Sequence, residues 1–150
     1  MKDTQPQFTH LNGSHITVGI ITAQWNSNIT SSLRDGVYTQ LRERNVLPHN
    51  IIEDTVPGSF ELPYACQRMI HNQNVDVVIP VGCLIKGSTM HFEYIAQAVS
   101  YGLTQVSLNT NTPVLFGILT CLTEEQALER SQGKGNHGPS WADSALALIT

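Results

Sequence analysis

Four short runs of β-branched and aliphatic residues punctuate the chain: Ile16 to Thr22, Ile51 to Val56, Val75 to Leu84, and Val114 to Thr120. About 20 to 30 residues separate successive runs, too many for a hairpin and enough for a helix to cross back over a sheet. Each intervening stretch carries a helical pattern. Ile29, Leu33, Val37 and Leu41 mark one buried stripe, in a helix predicted from about Ile29 or Thr30 to Arg44. Ser59 is placed to cap a second helix over Phe60 to Ile70, with Pro63 in its first turn, where the backbone N–H groups lack helical acceptors anyway. Phe92, Ile95, Ala96, Val99 and Leu103 give a third, with Ser88 or Thr89 as its N-cap. Val106 to Asn111 is weakly patterned and reads as a loop with some extended character. Thr123-Glu124-Glu125-Gln126 is a capping box for a helix ending near Ser131, and Ser140 to Ile149 forms a last short helix. Strands alternating with helices predict an α/β fold: a four-stranded parallel sheet with helices on both faces, in three layers.

Charge and cysteine usage exclude several classes. The net charge is −4 and the few Lys and Arg are scattered, which argues against a nucleic-acid surface. No apolar run approaches the roughly 18 residues of a membrane span. The N-terminus, MKDTQPQFTH, has no apolar h-region and is not Arg-rich, so neither a secretory signal nor a transit peptide is expected. Residues 1–13 read as a flexible polar arm, and 14–150 as a single domain. Cys66, Cys83 and Cys121 are odd in number, form no CxxC pair and sit in apolar runs. They read as reduced core residues of a cytoplasmic protein, and with dispersed histidines no metal site is expected.

In open parallel sheets, ligands bind outside the carboxyl ends of the strands. The unusual residues of this chain gather at those ends. Trp25-Asn26 follows the first strand, Pro57 to Glu61 the second, Cys83 to His91 the third, and Phe116 to Cys121 form the end of the fourth. Trp25 is either a packing aromatic or a flat surface for stacking a planar ring. Ser59, Phe60 and Glu61 offer backbone amides and a carboxylate, which could serve the helix dipole or accept hydrogen bonds from a polyol. The turn at Ser88 and Thr89 presents backbone N–H groups at the positive end of a helix, where an anion binds readily. His91 stands beside it, either solvated or used for proton transfer. Arg130 ends a helix, where a cation is favourable without a ligand and where it could also hold a phosphate. A Walker lysine and GxSxG are missing from the sequence; Gly133-Lys134-Gly135-Asn136-His137-Gly138 spells GxGxxG, but it is a Gly-rich break between two predicted helices and follows no strand, so it lacks the context of a dinucleotide loop.

VPGSFELP (Val56 to Pro63), GCLIKGSTMHFEY (Gly82 to Tyr94) and PVLFGILTCLTEEQALERS (Pro113 to Ser131) resemble the lumazine synthase family in order and spacing. The similarity runs over about residues 16 to 140 and takes in Trp25-Asn26 and Asn136-His137-Gly138. It implies a flavodoxin-like sandwich assembled into pentamers or a sixty-subunit shell. It also implies condensation of 5-amino-6-(D-ribitylamino)uracil with 3,4-dihydroxy-2-butanone 4-phosphate, without metal or organic cofactor. By the resemblance, Trp25 and Asn26 face the pyrimidine ring, and Ser59, Phe60 and Glu61 hold ring and ribityl chain. The backbone of Cys83, Leu84 and Ile85 reads the uracil edge. Ser88, Thr89 and Arg130 bind the phosphate, and His91 moves protons. Phe116 and Arg130 are implied to come from a neighbouring subunit, which puts each site at an interface.

A flavin-binding or storage protein on the same scaffold is the rival reading, since Trp25 suits riboflavin. Such a binder does not need both His91 and Arg130. A flavodoxin-like electron carrier is a further alternative, weakened because no Ser/Thr-rich phosphate loop follows the first strand. Cys83 departs from the small aliphatic residue usual in the family. Pro139 and Trp141 stand where the family is usually Ala- or Gly-rich, which bears on subunit packing.

Overall fold

The computed structural model describes residue 4 and residues 6–150; the first residues of the expected arm lie outside the described residues. Strands β1 (Val18–Ala23), β2 (Ile51–Val56), β3 (Val77–Ile85) and β4 (Gly117–Cys121) form one sheet in the order β2-β1-β3-β4. Every pairing is parallel. Helices α1 (Ser27–Glu43), α2 (Leu62–Gln73), α3 (His91–Thr110), α4 (Glu124–Ser131) and α5 (Gly138–Ala147) cover it. Single 3-10 turns occur at Pro48–Asn50, Ser59–Glu61 and Gly133–Gly135.

The central strands β1 and β3 are apolar almost without interruption, as a sheet covered on both faces requires. Two cores result. Leu33, Val37 and Leu41 of α1 pack with Ala142 and Leu146 of α5 against Val18, Ile20 and Ile79 on one face. Leu62 and Cys66 of α2 pack with Val99 and Leu103 of α3 against Ile21 and Val78 on the other. A Cβ at Gly102 would stand 2.9 Å from Pro63 Cγ, so the glycine is what lets α3 close on α2. The three-layer α/β/α sandwich expected from the sequence is therefore the observed fold.

The departures are local. Val106 to Thr110, expected as loop, is the last turn of α3, and Val106 is buried. Its hydroxyls are accommodated by local bonding: Thr110 Oγ1 donates to the Val106 carbonyl at 2.6 Å and Ser107 Oγ to the Thr112 carbonyl at 3.2 Å. Asn111, left-handed at φ 52°, ends the helix. Residues 59–61 form a 3-10 turn without a Ser59 side-chain cap, and α2 proper starts at Leu62. β4 begins only at Gly117, although Val114 makes an isolated bridge to Val78. The Thr123 box does form: Thr123 Oγ1 accepts from Gln126 N–H at 3.2 Å, and Gln126 Oε1 accepts from Leu122 N–H at 2.7 Å. Among the described residues no helix is long and apolar enough to cross a membrane.

Candidate active site

The strand order reverses between β1 and β3, so a crevice opens where their carboxyl ends diverge. Two backbone bonds carry the chain past β1. Gln24 N–H donates to Val56 O at 2.9 Å and Trp25 N–H to Pro57 O at 3.0 Å, which draws the Pro57 turn alongside Trp25. Asn26 then adopts a left-handed conformation (φ 61°, ψ 47°), which asparagine tolerates better than most residues. Its carbonyl accepts from Ile29 and Thr30, starting α1 two to three residues earlier than the apolar stripe suggests. Its Nδ2 donates to the Cys83 carbonyl at 2.9 Å, tying the Trp25 turn to the end of β3.

The sharp reversal throws the indole outward, and Trp25 is 73% exposed. Gly58 passes against its edge; a Cβ there would lie 3.1 Å from Trp25 Cδ1. Ser59 is turned inward and buried, with its hydroxyl where a side chain on Gly82 would sit, 2.5 Å from that Cβ position. Phe60 and Glu61 face outward on the same 3-10 turn. Cys83, Leu84 and Ile85 form the floor, and His91 and Ile95 of α3 the opposite wall. Together these groups enclose a cleft of about 480 Å³, within the range of small-molecule sites.

Most of the expected site residues thus meet in one place. Gly58 and Ile95 also line the cleft, and Ile95 could have been read from its position one helical turn after His91. Neither Ser88 nor Thr89 is the N-cap of α3. That position is Met90, with no side-chain cap, and the Thr89 hydroxyl instead accepts the His91 N–H at 3.3 Å. Both residues stand exposed on the turn leading into His91. Asn26 already donates to the Cys83 carbonyl, so a ligand reading this edge would share that oxygen, which keeps one lone pair free.

Phe116 and Arg130 do not line the cleft. Phe116 lies just before the edge strand β4, in a separate concavity with Phe92, Tyr101 and Leu122. Arg130 is in the last turn of α4, where its Nη1 donates to the Gln126 carbonyl at 3.0 Å and its own carbonyl accepts from His137 N–H at 2.9 Å. Burial, and then the Arg130 charge, lower the pKa of His137 below the usual imidazole value. All three cysteines are buried and free. Burial, with a smaller contribution from Cys121, pushes the Cys83 thiol up to about 12. Cys83 therefore carries no thiolate at neutral pH and shapes the site through its backbone. Among the described residues no cluster of His, Cys, Asp or Glu could hold a metal.

Residues 15–150 match the family model for 6,7-dimethyl-8-ribityllumazine synthase. The chain belongs to this family. A 6,7-dimethyl-8-ribityllumazine synthase from Schizosaccharomyces pombe is 42% identical over 146 residues, covering 95% of this chain and 92% of the relative. That of Porphyromonas gingivalis is 44% identical over 137 residues, 91% of this chain and 85% of the relative. That of Bacteroides fragilis is 41% identical over 132 residues, 87% and 92% respectively. The matched region of this lumazine synthase family member contains every element that builds the cleft, from Trp25 to Ile95.

Proposed function

We propose that the chain condenses 5-amino-6-(D-ribitylamino)uracil with 3,4-dihydroxy-2-butanone 4-phosphate to give 6,7-dimethyl-8-ribityllumazine, phosphate and water, a step of riboflavin biosynthesis. Membership of the family, with a cleft of small-molecule size at the switch point of the sheet, is the observation that carries this reading. The primary amine attacks the ketone, and water leaves as the imine forms. Removal of a proton next to the imine expels the phosphate. The enol left on the former hydroxyl carbon tautomerises to a ketone, the ribityl-bearing nitrogen attacks this new carbonyl, and loss of a second water closes the ring. No step changes oxidation state overall, so no redox cofactor is required. Much of the rate comes from holding two substrates in register.

Trp25 offers the exposed aromatic face on which the pyrimidine ring stacks, and the same face suits riboflavin. Asn26, Ser59, Phe60 and Glu61 hold the ring and ribityl chain, with the Cys83–Ile85 backbone at the uracil edge. The exposed imidazole of His91 in the cleft wall transfers protons. Ser88 and Thr89, on the turn beside it, receive the phosphate with Arg130. Since Phe116 and Arg130 lie outside their own cleft, they complete the site of a second copy, in a homo-oligomer such as a pentamer or a sixty-subunit shell. The substrates are small cytoplasmic metabolites, and the cytoplasm is the proposed location.

Incubation of the purified chain with both substrates, followed by lumazine fluorescence and by sedimentation, tests the reading. Product formation that requires both substrates supports it. No product from an oligomeric, folded preparation refutes it.

A further inference from the structure

The turn between β3 and α3 is an exposed wall of the cleft with few supporting contacts. Lys86 through His91 are all exposed, and a Cβ at Gly87 would meet nothing within 4 Å. Its start is pinned, because Lys86 N–H donates to the Cys121 carbonyl at 2.9 Å at the end of β4. Inside the turn, the bonds are local: His91 N–H to Thr89 Oγ1 at 3.3 Å, and Tyr94 N–H to the Met90 carbonyl at 3.3 Å. One side-chain bond spans it. Lys86 Nζ donates to Glu93 Oε1, seven residues on, in the first turn of α3.

Glu93 is not placed like an ordinary surface partner. Its Oε2 is cut off from solvent and has no hydrogen-bond partner among the described residues. An exposed ion pair leaves both carboxylate oxygens in water and contributes little. Turning one oxygen away from water without a partner is unfavourable, so the carboxylate is held there by its surroundings. Hydrogen bonding from Lys86 holds the Glu93 carboxyl below its ordinary range, so it stays charged at neutral pH.

We propose that Lys86 and Glu93 form a clamp that sets the turn 87–90 and, through it, the imidazole of His91 and the hydroxyls of Ser88 and Thr89. Both are positioning residues, acting on the substrates through the turn. The functional consequence rests on the site reading above; the structural one does not.

The test is a double-mutant cycle of Glu93→Gln, Lys86→Met and their combination in the full chain. Each single variant lowers kcat/KM for the butanone phosphate about 10–100-fold, because displacements near 1 Å can cost about 10²-fold. KM for the pyrimidine stays within about twofold, and the double variant is no worse than the worse single, as for two residues acting as one unit. Amide hydrogen exchange over residues 87–91 rises about tenfold or more in each single variant while exchange in the sheet is unchanged. Glu93→Asp, which keeps the charge and shortens the reach, takes the place of Glu93→Gln if the latter does not fold. Single variants matching the native chain in both kinetics and exchange overturn the clamp, as does strict additivity in the cycle. Failure of the native chain to make lumazine refutes the functional reading alone. Exchange over residues 87–91 then decides the clamp: faster in the variants upholds it, unchanged overturns it.

Discussion

Replacing Trp25 by alanine tests the cleft most directly, because its indole makes little contribution to the fold. The residue is 73% exposed and belongs to neither core. Unfolding stability should therefore change by less than about 0.5 kcal/mol. A planar ligand stacked on one face of the indole covers roughly 60–80 Å², part of the roughly 150–250 Å² that aromatic side chains bury in full. At about 25 cal/mol per Å² that area is worth about 1.5–2 kcal/mol. Aromatic stacking adds about 0.5–1.5 kcal/mol. The total of about 2–3.5 kcal/mol corresponds to roughly 30–300-fold in Kd for riboflavin. Trp25→Phe should lose only part of this, since the phenyl face is smaller. The assay is a fluorescence titration of riboflavin with each form at one salt concentration. Bound flavin should be quenched by the native indole and less so by the alanine variant. Equal dissociation constants with an unchanged thermal midpoint would mean that Trp25 does not carry the ring, and the stacking argument would fall.

His91→Ala should slow turnover about 10–1,000-fold with the fold intact, since general acid–base groups contribute about 10²–10⁴-fold and water or the departing phosphate can partly substitute; a native rate in a steady-state assay removes His91 from proton transfer. Arg130→Ala should raise KM for the butanone phosphate and leave that for the pyrimidine nearly unchanged, because a charge-assisted phosphate contact is lost. If Arg130 serves a second copy, reassembling the slowed His91→Ala chains with Arg130→Ala chains, assayed with butanone phosphate well below the KM of Arg130→Ala, should restore roughly a quarter of the native sites in an equimolar mixture; activity no higher than the mean of the two parents in a mixture proven to exchange subunits places both residues in one chain's site. Asp143 accepts a two-pronged bond from Arg44, Nε to Oδ1 at 2.9 Å and Nη2 to Oδ2 at 3.0 Å, with Gln40 on Oδ1 at 3.0 Å. Burial raises its pKa, but these bonds and the Arg44 charge outweigh burial and leave it below the ordinary aspartate value. A depressed folded pKa gives stability that is present above the unfolded pKa and lost as pH falls through the folded one. Asp143→Asn should therefore lower the thermal midpoint at neutral pH, and the gap to the native chain should close below about pH 4; a gap that persists in acid rejects the ion pair as its source.

The parts of the fold legible in the sequence are those specified within a few residues. β3 is a continuous apolar run because both its faces are covered, and the Thr123 box satisfies its own helix end. The end of α3 was hidden because Ser107, Thr110 and Asn111 are residues that also make turns. Only contact with the second core, through Val106, decides for helix there. Asn26 could be singled out from sequence, but its left-handed backbone and its bond to Cys83 depend on two strands meeting, 57 residues apart. The Lys86–Glu93 bond was unreadable for a related reason. Seven residues is not a spacing at which side chains meet on a helix, and the intervening turn is what folds one onto the other.

Phe116 and Arg130 pose the opposite case. The sequence reading places Phe116 with Trp25 and His91 at the carboxyl ends of the strands and Arg130 at a helix end, but Phe116 precedes β4 and stands at the amino end of that strand. The order β2-β1-β3-β4 separates them: the crevice opens between β1 and β3, while Phe116 precedes the edge strand β4 and Arg130 lies on the helix beyond it. Membership of one sheet is therefore not proximity in one cleft. A lone chain leaves Trp25 and Phe60 exposed, and among the described residues no arginine lines the cleft. Condensation through an imine and phosphate expulsion both gain from excluding water and from a fixed cation near the leaving group. Under the proposed reaction, the exposed aromatic face and the displaced arginine both favour closure of the site by a second copy, and the subunit-mixing experiment tests that closure.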